Sequence, residues 1–344
     1  MSEPTPSIPK GSWVLVTGAT GYVGSQTVKQ FLERGYKVRG TVRSLQKAAW
    51  LNKLFGSYGD SFELVEVTDF ANDNAFGEAV KGVSAIAHIA TITTFAADPN
   101  EVIPPTVAGT VSILKAALKE PSVKQIVYTS SIVAATPPIP GNDTRVDKDS
   151  WNEYAVKAAW APPPYEPARG RLSYAASKVE AEKAFWKFAE ENKPHFAINV
   201  VAPATIIGEP LDKSHIESSA SWINLLYDGN VGMVAAFPAI FEIDVKDVAL
   251  LHVASILDPD TSNARLQAWG RKANWNHVLR EIRKLYPDHK VVDDFPGDPQ
   301  LTITTDFSES FALLKKWGKQ DGWKPFEQTV AENLKPIVEW DTKA

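Results

Sequence analysis

The chain has 344 residues and no cysteine. That rules out disulfide frames, iron–sulfur clusters and thiolate metal sites, and it fits a reducing compartment. Histidine is scarce as well: six are present, none at HxxxH or HExxH spacing, so no metal site is expected. There is no excess of positive charge. Lys and Arg number 36 against 41 acids, a net charge of -5 with both signs interspersed. Nucleic acid is therefore excluded as an expected partner. Long apolar runs are missing too. The longest, residues 197–207, contains Pro203 and is too short to span a bilayer, so no membrane partner is expected. Residues 1–11 carry neither an apolar signal core nor an Arg-rich amphipathic pattern, and residues 1–10 read as a short flexible arm. The expected location is the cytoplasm. Asn142-Asp143-Thr144 is a formal glycosylation triplet expected to stay bare. No internal repeat or low-complexity tract is evident.

What is present is a hydrophobic content of 44%, ample for one large domain or two unequal ones. The chain is organised around residues 13–32, WVLVTGATGYVGSQTVKQFL. A short apolar run stops at Thr17-Gly18, and glycines follow at 18, 21 and 24. A helical period then places Val23, Val28, Phe31 and Leu32 on one face. Strand, glycine turn and helix in this order let backbone approach a ligand closely and let helix pack on strand. The helix start offers free N–H groups and a positive dipole end to a pyrophosphate.

Residues 36–42 read as a second strand. An NAD enzyme commonly places an acid near its end to bind the ribose 2′-OH. Here Arg39 and Arg43 stand instead, with Lys47 nearby, and a guanidinium fork matches a 2′-phosphate. Residues 62–69 form a third strand ending in Asp69-Phe70, an acid and an aromatic suited to the edge and face of adenine. Asp69 can equally cap a helix. Residues 84–90 are a buried strand followed by Thr91, with His88 inside it as a satisfied core residue. Phe95 lies in the loop expected to overhang the nicotinamide end. A helix over 106–118 precedes a strand over 124–131 that delivers Thr129, Ser130 and Ser131 to the ligand edge of a parallel sheet. The proline-rich connection 132–172 has the length of a lid or binding loop, with a short helical turn expected at 147–151.

Residues 173–190 then read as a helix on which Tyr174 and Lys178, four apart, share a face. With a serine hydroxyl from the preceding strand they make a Ser–Tyr–Lys set. A phenol titrating near ~10 is a poor acid–base group at neutral pH. A nearby ammonium would lower that value.

TGATGYVG, the Arg39/Arg43 pair, Asp69, YTSS, YAASK and the later PATIIG together resemble an extended short-chain dehydrogenase/reductase. More narrowly, from about residue 8 onward the chain is similar to fungal NADPH-dependent carbonyl or aldehyde reductases, relatives of dihydroflavonol reductase. The resemblance implies Ser131, Tyr174 and Lys178 as catalytic residues, and Lys178 also on the nicotinamide ribose. It implies an NADP(H) site of Gly18, Thr20, Gly21, Tyr22, Val23, Gly24, Arg39, Arg43, Asp69, Phe70, Ala90, Thr91, Ser130, Tyr174, Lys178 and Pro203. No asparagine stands in 106–118, so no fourth catalytic residue is assigned.

The expected fold is α/β: a doubly wound parallel Rossmann sheet from 11–203 plus 243–257, with a smaller discontinuous C-terminal substrate domain from 204–242 plus 258–344. In 208–241, Ser219, Trp222, Ile223, Leu226, Phe237 and Ile240 are candidates to cover substrate. With Phe95, the residues Trp222, Phe237 and Ile240 form the expected pocket. Asp247 is expected to cap the helix in 243–257, where His252 reads as structural. Helices are expected at 275–286, 308–317 and 326–338, all in the smaller domain's core. The expected partner is a small carbonyl compound, with the protein a monomer or homodimer. Two rival functions are a nucleotide-sugar epimerase or dehydratase, for which 208–241 offers only Lys213 and His215, and a non-catalytic NADP(H) sensor, which has no need of Tyr174 and Lys178.

Overall fold

A computed structural model describes residues 4–232 and 234–341. Seven strands build one parallel sheet: β1 (Trp13–Thr17), β2 (Lys37–Val42), β3 (Phe62–Glu66), β4 (Ala85–His88), β5 (Gln125–Thr129), β6 (Ala197–Pro203) and β7 (Arg265–Ala268). Their order across the sheet is β7-β6-β5-β4-β1-β2-β3. The central strands are continuous apolar runs because helices cover both faces. On one face lie α1 (Tyr22–Glu33) and, late in the chain, α4 (Val245–Leu257), packed with Phe31, Leu32, Val248 and Leu251. On the other lie α2 (Ile103–Leu118) and the long α3 (Gly170–Asn192), packed with Ile113, Leu114 and Phe185. The chain leaves β1 toward β2 and β3, then returns to lay β4 on β1's other side. The strand order reverses there, and the crevice at the carboxyl ends of β1 and β4 is where such sheets bind ligands.

A second, smaller core is built from Ile207, Ile223, Leu226, Trp275, Leu279 and Leu334. A three-stranded sheet supports it, made of Thr205–Ile207, Ile240–Asp244 and Arg271–Ala273. Helices Ser221–Tyr227, Trp275–Leu285 and Phe326–Asp341 complete it. Among the described residues no helix is long and apolar enough to cross a membrane.

Four expectations are corrected. Residues 4–10 are not a loose arm: Ser7 N donates to Leu257 O at 2.8 Å, and Ile8 is 1% exposed in the main core. Residues 1–3 of that arm lie outside the described residues, as do 342–344 of the C-terminal assignment and Met233. Residues 265–268, assigned above to the substrate domain, form the edge strand β7, paired with β6. Residues 308–318 likewise join the main core, through Phe311, Leu313, Leu314 and Trp317. The α4 cap is Asp244, whose Oδ1 accepts from Lys246 N at 2.7 Å, because the strand Ile240–Asp244 runs directly into the helix. Asp247 sits in the first turn and instead holds Gln320 Nε2 and Lys324 N, at 2.8 and 2.7 Å. Finally, Asp147–Ser150 is a side-chain-bonded turn, and the helix in that connection is Glu153–Ala159, capped by Asn152.

Candidate active site

The glycine turn sits at the reversal point. Helix α1 starts at Tyr22, with Gly21 as its cap; no side chain accepts its first N–H groups, and its first turn holds no acid. Those donors are the kind a pyrophosphate satisfies. Gly18 has φ +68°, and a Cβ there would come 3.1 Å from Ala90 Cα. A Cβ on Gly24 would lie 2.1 Å from Gly18 O, so the third glycine is demanded by close helix–strand packing.

Thr17, which the sequence reading passed over, secures the loop opposite. Its Oγ1 accepts from Ile89 N and Ala90 N at 2.9 and 3.0 Å and meets His88 Nδ1 at 3.0 Å. With both lone pairs used, the hydroxyl proton goes to His88 Nδ1, which makes His88 an Nε2–H tautomer. Burial pushes its pKa down to about 3, so the ring stays neutral. Beside it, Thr91 Oγ1 is buried with no protein partner. An orphaned hydroxyl just past β4, uncapped N–H groups on α1 and a glycine turn that backbone packing keeps open together fit a dinucleotide.

The side chain of Tyr22 does not face that turn. Its hydroxyl donates to Gly208 O at 2.6 Å, which leaves Tyr22 only its backbone N–H for the role expected of it. Thr20 O accepts from His215 Nε2 at 3.1 Å, and Gln26 donates to Glu209 O at 2.9 Å. Residues 208–215 therefore clip the second domain onto the start of α1. Val23 is half-buried against the main core.

Arg39 is a correction. Its Nε contacts Glu63 Oε1 at 2.5 Å, and Nη1 donates to Ala79 O and Lys81 O at 2.8 and 2.7 Å. It is spent below the ligand edge on partners that β3 and the 79–81 loop bring to it. Arg43, one residue past β2, is exposed and its guanidinium makes no ion pair or hydrogen bond among the described residues; Lys47, four residues on, is exposed as well. The β3 pairing also brings an acid to this edge that β2 itself lacks: Glu66 Oε2 accepts from Leu45 N at 3.0 Å. Asp69 Oδ1 accepts from Ala71 N, closing a turn and capping no helix. The Phe70 ring lies on α2 where only glycine fits, since a Cβ on Gly109 would be 2.1 Å from it.

The carboxyl end of β5 meets α3. The Tyr174 hydroxyl lies near enough to Ser131 for that side chain to oppose the rise in its pKa, and Ser131 Oγ accepts from Val133 N at 3.4 Å. Lys178 is 1% exposed, and its Nζ donates to Thr129 O at 3.1 Å and lies 6.0 Å from the Tyr174 ring centre. Burial pushes the Tyr174 phenol up to about 12, with nearby Ser131 opposing it, and pushes Lys178 down to about 8. The expectation that the ammonium lowers the phenol is thus not met in the protein alone: burial raises the phenol and Ser131 is the group that pulls it back. Thr129 Oγ1 turns the other way, to His252 Nε2 at 2.6 Å; His252 Nδ1 bonds Val248 O at 2.7 Å, a fully structural histidine. Ser130 is another correction: its Oγ donates to Glu182 at 2.5 Å, beneath the site rather than toward a cofactor. Pro203 ends β6, paired with Ala268.

One aromatic side chain packs on Tyr174, and a second aromatic pair lies on the smaller core. Phe95, at φ +50° and 49% exposed, lies 4.9 Å from the Tyr174 ring. Its loop packs on Gly170, where a Cβ would be 2.0 Å from Phe95 O. Phe237 stacks on Trp222 at 5.1 Å, and Arg171, unforeseen from sequence, lies 4.6 Å over Phe237 and donates to Ala236 O. Ile240 is corrected from pocket to core, 4% exposed, and Ile223 and Leu226 are fully buried. Ser219 is tied to Ile206 O at 2.6 Å.

A model of the NAD dependent epimerase/dehydratase family matches residues 14–264. The chain is 39% identical over 329 residues to aldehyde reductase 2 of Sporidiobolus salmonicolor, covering 94% of this chain and 96% of that protein. It is 37% identical over 337 residues to ketoreductase nvfG of Aspergillus novofumigatus, covering 96% and 98%. Among solved structures it is similar to Gre2 of Candida albicans in complex with NADPH. That likeness has a TM-score of 0.83 and 26% identity, over 95% of this chain and 99% of the other.

Proposed function

Because this chain belongs to the NAD dependent epimerase/dehydratase family, as an extended short-chain dehydrogenase/reductase akin to fungal reductases, we propose that it reduces aldehydes and ketones to alcohols with NADPH. The observation that carries the reading is the approach of Tyr174 to Ser131, with Lys178 buried one turn along α3, at the carboxyl end of β5 next to the reversal point of the sheet. Bound NADPH supplies a hydride to the carbonyl carbon. Ser131 and Tyr174 hold the carbonyl oxygen, and Tyr174 gives it the proton as negative charge develops there. Lys178, while charged, draws the phenolate form down in energy and so eases that transfer. Gly18, Gly21, Gly24, Ala90 and Thr91 would hold the dinucleotide's pyrophosphate side. Asp69 and Phe70 would meet the adenine, and Arg43 with Lys47 the 2′-phosphate. Phe95, Trp222 and Phe237 would make an apolar mouth whose few polar groups are Ser131 and Tyr174, as small-molecule sites are generally built. Aryl ketones, keto esters and aliphatic or aromatic aldehydes are the substrates this favours. The test is NADPH oxidation, followed by near-ultraviolet absorbance, over a panel of these carbonyls and of UDP-sugars. Turnover of UDP-sugars with none of the carbonyls replaces this reading with the epimerase one.

Two variants probe the parts. Arg43→Ala should raise the NADPH KM about tenfold and leave the NADH KM unchanged, since one charge-assisted contact to phosphate is worth roughly 1.5–3 kcal/mol. Equal efficiency of the parent with both cofactors refutes the 2′-phosphate role. Trp222→Ala removes the face on which Phe237 stacks. It should broaden substrate range and shift the enantiomeric ratio of the alcohol more than it changes NADPH affinity. Unchanged product ratios would make Trp222 a core residue, leaning on Trp275 at 5.8 Å.

A further inference from the structure

Tyr174, Lys178 and Glu182 follow one another at four-residue spacing on α3 and so form one row. Glu182 is fully buried, and nothing in the reaction described above uses it. Its carboxylate accepts from four donors on three elements. Ser130 Oγ, from the residue before Ser131, reaches Oε2 at 2.5 Å. Arg265, on β7, places Nε 2.6 Å from Oε1 and Nη2 3.3 Å from Oε2. Trp186 Nε1, one turn along α3, reaches Oε1 at 3.1 Å. Arg265 is in turn fixed by Lys148 O and Ser150 O at 3.1 and 2.7 Å, with its guanidinium 4.1 Å over the Trp151 ring. A buried ion pair with every hydrogen-bonding group engaged is expensive to build and is poor evidence of stability alone. Its site is therefore informative: it lies directly beneath the proton-transfer residues.

We propose that Glu182 is a positioning residue for carbonyl reduction, tying the strand end that carries Ser131 to the helix that carries Tyr174 and Lys178, and serving as the anion that keeps the Lys178 ammonium charged. The inference rests on the reductase reading above. The groups facing Lys178 are Tyr174 and Glu182 from α3, the Tyr128 ring of β5 at 5.7 Å from Nζ, the Thr129 carbonyl, and neutral His88 of β4. Only Glu182 among them can bear a negative charge at neutral pH. It acts on Lys178 against burial, which pulls the ammonium down to about 8. Without it, burial acts unopposed and Lys178 loses its proton at lower pH.

The test uses full-length protein with NADP⁺ bound, labelled with ¹³Cε-lysine, the Lys178 resonance being assigned with Lys178→Arg. In Glu182→Gln the Lys178 titration midpoint should fall by about one pH unit or more. The alkaline limb for carbonyl reduction should move down with it, costing about fivefold in kcat at pH 8 for a fall of one unit from a midpoint of about 8, with the NADPH KM little changed. Ser130→Ala should leave the midpoint in place and lower kcat several-fold. A folded Glu182→Gln with the parent's midpoint and limb overturns the proposal, because a purely structural carboxylate would not move either. Should the unpaired guanidinium prevent folding, Glu182→Asp keeps the charge but shortens its reach to Ser130 and Arg265; the midpoint should stay near the parent's while kcat falls several-fold, and a parent-like kcat there overturns the proposal. If the parent reduces no carbonyl, the reductase reading falls, and the Lys178 midpoint still decides whether Glu182 holds that charge.

Discussion

Tyr174→Phe is expected to lower kcat for carbonyl reduction by about 10²- to 10⁴-fold, the usual worth of a positioned proton donor. NADPH affinity should stay within about twofold, because the hydroxyl matters most as charge develops on the substrate oxygen. The substitution is mild for the fold. The ring remains, with its contact to Phe95 at 4.9 Å, and the lost partner is Ser131. The sign of the pH dependence follows from the two shifts. With the phenol pushed up to about 12, Tyr174 stays protonated and able to donate through the neutral range. Lys178, pushed down to about 8, is the group that discharges first as pH rises. Reduction should therefore hold below about 8 and decline above it. Steady-state kinetics paired with NADPH fluorescence titration reads both halves, and near-normal turnover in Tyr174→Phe would rule out the mechanism. Ser131→Ala should cost more in kcat than Ser130→Ala; the reverse order would exchange the roles of the two serines.

Gly24→Ala should abolish productive cofactor binding while leaving a folded protein. The added Cβ would sit 2.1 Å from Gly18 O, an atom of the turn itself, so the turn must move. A displacement of about 1 Å at a binding loop can cost about 10²-fold, and overpacking a tight contact typically costs about 1–3 kcal/mol of stability. The NADPH Kd is thus expected to rise about a hundredfold, with Tm lowered by a few degrees. Gly35→Ala is the control. Gly35 has φ +82° and open space around its would-be Cβ, so alanine strains the backbone without touching the turn. It should lower Tm and leave the NADPH Kd where it was. An unaltered Kd in Gly24→Ala would mean that the glycine turn does not cradle the dinucleotide.

Features decided within one turn of helix or one strand were legible in the amino-acid order. The 18/21/24 glycine spacing, the apolar runs of β1 and β5, and the four-residue step from Tyr174 to Lys178 depend on neighbours only, and these elements stand where periodicity put them. So did the parallel order of the sheet, since alternating strands and helices leave few other arrangements. What a charged side chain does was not local. Arg39 looked free beside the ribose site until β3 delivered Glu63, 24 residues on, to its guanidinium. Ser130 and Ser131 are adjacent hydroxyls, yet one bonds Glu182, 52 residues away, and the other lies beside Tyr174, because successive residues leaving a strand point to different sides. Strand β7 was missed since RLQA has the composition of an ordinary loop edge and becomes a strand only beside β6. The amino-acid sequence by itself thus determined the scaffold and the pairing of Tyr174 with Lys178, whose spacing is a property of the helix. Only the tertiary structure decided that Arg39 is spent on Glu63, that Ser130 turns to Glu182 and how far burial shifts Tyr174 and Lys178, because charge and hydrogen-bond partners come from chain segments that sequence distance does not reveal.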